Sequence, residues 1–209
     1  MTRRFRPVRS VAVLGLAAFI VVGGAFVLRH RGNERWGSAL EAGDGGGAGG
    51  PLVPGAPLSF GLVTTGNVSD DPVQLLSARL LWLDPGLKLL GFAASRGDAT
   101  GGVPITAREW PVPNGVALDR FAPLAPHDTL HRVTIVFGLT VEPGREGKAL
   151  GVVVRYRQNG RSREQLFKQQ AFVCAVPVLD PNANCPGHAT DFDVAKDFDA
   201  ELAARRHKG

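Results

Sequence analysis

The run from Val11 to Leu28, VAVLGLAAFIVVGGAFVL, carries no charged or strongly polar side chain and is bounded by Arg9 and Arg29. At the helical rise its eighteen residues extend roughly 27 Å, against a bilayer hydrocarbon core about 30 Å thick. A segment in lipid must satisfy its own backbone hydrogen bonds, so the run reads as a transmembrane helix despite Gly15, Gly23 and Gly24. The tail 1–10 holds Arg3, Arg4, Arg6 and Arg9; the trailing side holds Arg29, Arg31 and Arg35 beside Glu34. The cation excess ahead of the run places the tail in the cytoplasm and the rest of the chain outside. A cleaved signal peptide is the competing reading, with Val22-Gly23-Gly24 as its small-residue site. The apolar stretch, however, continues through Phe26-Val27-Leu28 and exceeds the roughly 7–15 residues such a region needs.

Charge partitions along the chain. The net charge is +5; residues 1–50 hold seven arginines against three acids, and residues 51–209 hold seventeen Lys or Arg against sixteen acids. The basicity belongs to the membrane flanks, and the nearly neutral remainder argues against nucleic acid as a partner. Cys174 and Cys185 are the only cysteines. Close in sequence and on the outer side of the membrane, they read as a disulfide, worth about 3 kcal/mol by loop closure. Two free thiols in a cytoplasmic domain are the alternative.

Residues 29–57 read as a Gly/Pro-rich linker, because Gly43–Gly50 has too little apolar surface to order itself. From Leu58 the apolar period becomes two, and residues 58–179 read as an antiparallel β-sandwich. Strands are expected at Leu58–Thr65, Val73–Leu83, Leu87–Ala94, His131–Val141, Leu150–Gln158, Arg161–Lys168 and Ala171–Leu179, with a further short one at Gly115–Phe121. Asn67-Val68-Ser69 is a glycosylation sequon inside a turn cluster. Prolines break any long element between 95 and 130. There Trp110 reads either as a plug at one end of the core or as an exposed anchor.

Asn159-Gly160 is a type I′ hairpin signal, since both turn positions need positive φ. A two-residue turn pairs Gln158 with Arg161, Tyr156 with Arg163 and Arg155 with Glu164. Val152, Val154, Tyr156 and Phe167 then face the core, and Arg155–Glu164 becomes an expected cross-strand ion pair. Arg155, Arg157, Arg161 and Arg163 at the tip form a candidate basic patch for anionic envelope polymers, or a solvated hairpin tip. Residues 180–209 read as a disulfide-tethered tail with a helix over Phe192–His207 and a narrow stripe of Val194, Phe198 and Leu202.

No constellation points to a cofactor. Cys185-Pro186-Gly187-His188 is similar to the copper-ligand loop of cupredoxins, but the spacing is shorter, no Met follows, and Cys185 has Cys174 as partner. The two Asp-Phe-Asp repeats lack the glycine and terminal Glu of a calcium loop. His127, His131 and His188 are the candidates for a metal-handling or enzymatic alternative, without a nucleophile motif beside them.

The layout of basic tail, one helix, Gly/Pro linker and a sandwich closing on VVVRYRQNGR…FVC resembles uncharacterised single-pass membrane proteins of high-GC Gram-positive bacteria. About seven strands imply an immunoglobulin-like sandwich. The expectation is a mainly β chain with one N-terminal transmembrane helix, an Ig-like antiparallel sandwich and a short C-terminal helix. It would be a non-enzymatic binding or structural module of the cell envelope, meeting an envelope protein or polymer. A third reading makes it an accessory subunit acting through the helix itself, where Gly15 or Gly23-Gly24 permits close packing.

Overall fold

The computed structural model describes residues 36–41, 46–96, 106–178, 185, 198–200 and 203. The apolar run 11–28, the basic tail and His188 lie outside the described residues, among which no helix is long and apolar enough to cross a membrane. The chain divides into two compact units, Met1–Trp36 and Gly37–Gly209; the architecture below is that of the second.

The hairpin at Asn159-Gly160 forms as its sequence dictates, with φ of 51° and 71° at the two turn residues. It joins β7 (Glu146–Gln158) to β8 (Arg161–Ala175) in the expected register, Gln158 opposite Arg161 and Tyr156 opposite Arg163. Val152, Val154, Tyr156 and Phe167 are buried in the main core. On one side β7 pairs antiparallel with β3 (Gln74–Leu83). On the other, β8 pairs with β1 (Gly46–Leu52), giving a sheet of order β1-β8-β7-β3.

The second sheet has the order β4-β6-β2-β5. Its strands are β2 (Leu58–Thr65), β4 (Leu87–Arg96), β5 (Thr106–Ala107) and β6 (Val133–Val141). The alternation along β6 decides the packing: Val133, Ile135, Phe137, Leu139 and Val141 all enter the core, as a period of two requires. Phe137 stacks on Phe60 at 5.5 Å and meets Phe92 at 5.9 Å. The chain crosses from sheet to sheet through Asp84-Pro85-Gly86. There Asp84 accepts Trp82 Nε1–H at 3.0 Å and the Lys148 N–H at 2.8 Å, so one carboxylate satisfies donors from the paired strands β3 and β7.

Three expectations need correction. First, the Gly/Pro-rich stretch 29–57 is not a free linker throughout. Ala39 and Leu40 are buried, Leu40 bridges Asn67, and residues 46–52 form β1, whose pairing with β8 is parallel rather than antiparallel. Glycine composition argues against self-ordering, but β8 supplies the ladder from outside. Gly49 lies so close to it that a Cβ would meet the Phe172 carbonyl oxygen at 2.7 Å. Second, Gly115–Phe121 is not a strand. Val116 makes a single bridge to Ala94, and Leu118–Arg120 forms a 3-10 turn. Third, Arg155 and Glu164 face each other in register, but the carboxylate of Glu164 pairs with Arg79 of β3 at 3.4 Å.

The Cys174–Cys185 disulfide is formed, with Cα atoms 5.7 Å apart. Past it, residues 198–200 are helical and Phe198 is fully buried. Its ring lies on the outer face of β7, 3.1 Å from where a Gly151 Cβ would stand, while Lys168 pairs with Asp199 at 2.7 Å. The stripe residues Val194 and Leu202 lie outside the described residues.

The entry segment is pinned on the hairpin. The Gly37 N–H donates to Glu164 O, Ala39 N–H donates to Tyr156 Oη at 3.2 Å, and Leu40 exchanges two bonds with the Gln165 amide. Burial pushes the Tyr156 phenol above its ordinary value, against the opposing pull of the Ala39 N–H and the Arg163 charge. A raised folded-state value means that the unfolded phenol ionises first, so stability from this site is full below about pH 10 and falls as pH rises through the folded value. Tyr156 is the only tyrosine. Its ultraviolet phenolate titration should therefore have a midpoint above 10 in the folded protein and return to about 10 in denaturant; coincident midpoints would contradict the buried placement.

Substitution of two adjacent glycines tests β1. Gly49→Val should lower stability by about 1–3 kcal/mol in urea unfolding. Gly50→Val, with nothing within 4 Å of its Cβ position, should change it little. Equal effects would return this stretch to a free linker.

Candidate ligand-binding end of the sandwich

At one end of the sandwich β2, β4 and β7 finish and β3, β6 and β8 begin, as the pairs Thr65–Val133, Arg96–Val133 and Gln158–Arg161 require. Its loops are knit together by Asn67, the sequon residue, which is fully buried. The Asn67 amide donates to the carbonyls of Asp71 and Leu124, and its oxygen accepts the Ser69 N–H and hydroxyl. With its amide consumed, Asn67 holds loops and presents no acceptor for a glycan. The hairpin tip joins the network through Asn159 Nδ2, which donates to Asp71 at 2.6 Å.

The two histidines of these loops are each taken by a separate carboxylate. His127 Nε2 lies 2.9 Å from Asp70, and His131 Nδ1 lies 3.1 Å from Asp128. The His131 backbone N–H, followed by its ring, holds the Asp128 carboxyl below the usual carboxylate range. Among the described residues no three metal-ligating side chains converge. Ser69 donates its hydroxyl to Asn67 and Asp71 rather than to an imidazole.

The four arginines of the hairpin do not share one face. Arg155 and Arg157 are exposed on the outer face of β7. Arg163 lies opposite Tyr156 on the inward-facing side of the ladder, its Cδ 3.0 Å from a Gly37 Cβ position, and Arg161 shares that parity. A strand period of two separates them two and two, so the expected single patch is divided.

Trp110 neither plugs an end of the core nor stands free. It is half-buried on the outer face of the second sheet, in a small cluster with Ala93, Val112 and Val136. Its ring covers the paired glycines Gly91 and Gly138; a Cβ on Gly138 would meet ring atoms at 2.6 Å. Ser59 Oγ donates to Glu109 O and ties this segment to β2. The position explains why Val136, on the outward parity of β6, is fully buried.

A site the sequence reading did not pick out lies beside this segment. Ser95 and Arg96 at the end of β4, Asn114, Val116, Arg120 at the end of the 3-10 turn, and Phe121 and Ala122 after it line an open groove of about 350 Å³. Two constraints fix it. Ala94 and Val116 exchange backbone bonds of 2.8 and 2.9 Å, and Gln74 Nε2 donates to Phe121 O at 2.9 Å. The Arg96 guanidinium lies over the Phe121 ring, 5.7 Å from its centroid. Among the described residues no acidic side chain lines the groove. Arg96 and Arg120 are separated by a proline-broken stretch with no periodic pattern, so only tertiary structure brings them together.

No family model and no curated protein matches the chain. Among solved structures it is similar, at low TM-score, to the VesB protease of Vibrio cholerae (TM-score 0.33, 13% identity), with 64% of this chain and 32% of that one covered. It is also similar to the ASH/PapD-like domain 7 of human CEP192 (0.30, 12%), covering 67% and 85%, and to the CooA pilin subunit of enterotoxigenic Escherichia coli (0.23, 10%), covering 65% and 97%. The aligned part thus spans about a third of the protease's length.

Replacing Gly138 tests the outer-face cluster. Gly138→Val should displace the indole, shift Trp fluorescence to the red and cost about 1–3 kcal/mol. An unchanged emission spectrum and unfolding midpoint would place Trp110 elsewhere.

Proposed function

We propose that this chain is a membrane-anchored, extracytoplasmic module of the cell envelope, with an Ig-like sandwich that binds a partner and performs no catalysis. The observation carrying this reading is the Cys174–Cys185 disulfide, because such bonds persist in oxidising compartments and are reduced in the cytosol. The apolar run 11–28 and its arginine flanks supply the anchor and its orientation. The likeness in layout to single-pass proteins of high-GC Gram-positive bacteria points the same way. Strand order supports the Ig-like assignment: β4-β6-β2 and β3-β7-β8 match the D-E-B and C-F-G orders of a constant-type domain, with β1 added beside the last strand.

The loop end is the working surface in this reading. Val68, Val116 and Leu130 are exposed there, Leu130 at 83%, and exposed apolar side chains among arginines suit an envelope protein or polymer. Function must be argued from such a site because the fold itself hosts many.

Topology is tested by thiol labelling of the full chain in intact cells. Cys174 and Cys185 should resist a membrane-impermeant maleimide until an impermeant phosphine is added, then label together, and alkaline extraction should leave the chain in the membrane pellet. Labelling without reductant, labelling only after lysis, or release into the alkaline supernatant would each overturn the reading.

A further inference from the structure

We propose that the groove between the end of β4 and the 3-10 turn is a binding site for an anionic group, carboxylate or phosphate, carried on an apolar or aromatic moiety. The inference rests on reading the domain as a binding module; it does not depend on the membrane anchor.

Arg96 and Arg120 both line one open groove, and among the described residues no acidic side chain lines it. Among the described residues neither makes a salt bridge, whereas nearby Arg132 is committed to Glu41 at 2.8 Å. Two like charges sharing a groove repel each other, and an anion between them turns that repulsion into attraction. The guanidinium fork matches carboxylate and phosphate oxygens with paired N–H donors.

Preorganisation singles Arg96 out. Its cation–π contact with Phe121 restrains the guanidinium before any ligand arrives, which lowers the ordering cost of binding. Ser95, 5% exposed, lines the groove beside Arg96.

The rest of the lining selects what carries the anion. Val116, Phe121 and Ala122 form an apolar wall beside the charges, and Val116 is 41% exposed. The volume of about 350 Å³ lies at the small end of ligand sites. It suits one ring or one chain end with its anionic group. The backbone bonds at Ala94–Val116 and Gln74–Phe121 keep both walls in place.

The test is calorimetric titration of the purified full chain in nonionic detergent with four probes: phenyl phosphate, benzoate, inorganic phosphate and uncharged benzamide. Saturable binding of phenyl phosphate or benzoate is expected, with benzamide silent and inorganic phosphate weaker than its phenyl ester. Preference between the two aromatic anions identifies phosphate or carboxylate as the natural headgroup. Arg96→Gln and Arg120→Gln should each weaken binding about ten- to hundredfold, Arg120→Lys less, and Arg155→Gln/Arg157→Gln not at all. Arg120 is exposed in a surface turn, so its variants decide the matter if Arg96→Gln fails to fold. No saturable binding of either aromatic anion, equal binding by Arg120→Gln, or benzamide binding as tightly as benzoate would overturn the proposal. Because the titration does not involve cellular topology, failure here leaves the anchored reading standing, and failure of the labelling experiment leaves this result untouched.

Discussion

The register of the β7–β8 hairpin is the constraint on which the rest depends. Two consecutive positive-φ residues, Asn159 and Gly160, form a tight turn, and the turn fixes the pairs that follow as far as Val152 opposite Phe167. A slip of one residue would send Val152, Val154 and Tyr156 to solvent and Arg155 and Arg157 inward. Both other strands of that sheet inherit this register, β3 through β7 and β1 through β8. So does the entry segment, whose Ala39 N–H needs the Tyr156 hydroxyl at one particular place. Beyond Val152 the ladder shifts by one residue, and the shifted register sets Cys174, half of the disulfide, opposite Glu146.

A sandwich also has two outer faces, and here each takes an aromatic ring on a glycine. Trp110 lies on Gly138 in one sheet and Phe198 on Gly151 in the other. The physical reason is common to both, since a strand residue without a Cβ leaves a hollow into which a flat ring can settle. Gly151, at φ 64°, also bends β7 between Leu150 and Val152, where the ladder with β8 shifts. The Trp110 ring packs on Val136, an outward-parity residue that strict alternation assigns to solvent. The domain is therefore layered beyond its two sheets.

What could be read in the sequence follows from how local its cause is. Strand identity in β2, β6 and β7 comes from alternation within a few residues, the hairpin from two adjacent residues, and the cysteine pair from proximity. β1 carries no such signal: GGAGGPL has almost no side chains to alternate, and its order comes from a partner more than a hundred residues away. The Arg155–Glu164 pair was legible as a register but not as an ion pair, because Arg79 arrives from a third strand. Asn67 read as a turn residue with a sequon, and nothing nearby marked it as the buried tie between two loops. The groove was the least accessible feature, since Arg96 and Arg120 are brought together by the bridge at Val116, the Gln74 side chain and the Phe121 ring.

The two ends of the sandwich are built for different tasks. One is closed by short turns at 53–57, 84–86 and 142–145 and stapled by the Cys174–Cys185 bond, leaving little backbone free to adapt. The other gathers the long connection from β4 to β6, the buried Asn67 network, Arg96 and Arg120, and the exposed Val68, Val116 and Leu130. Loops held by side-chain hydrogen bonds retain fixed shape while keeping polar and apolar groups at the surface, which is the arrangement recognition uses. Four of the described acids at this end are spent on internal partners: Glu41 on Arg132, Asp70 on His127, Asp128 on His131 and Asp71 on Asn159. What they leave uncompensated is the guanidinium pair of the groove. A nearly neutral domain thus presents a local positive site, and the selectivity for an anion arises from which charges are already paired rather than from net charge.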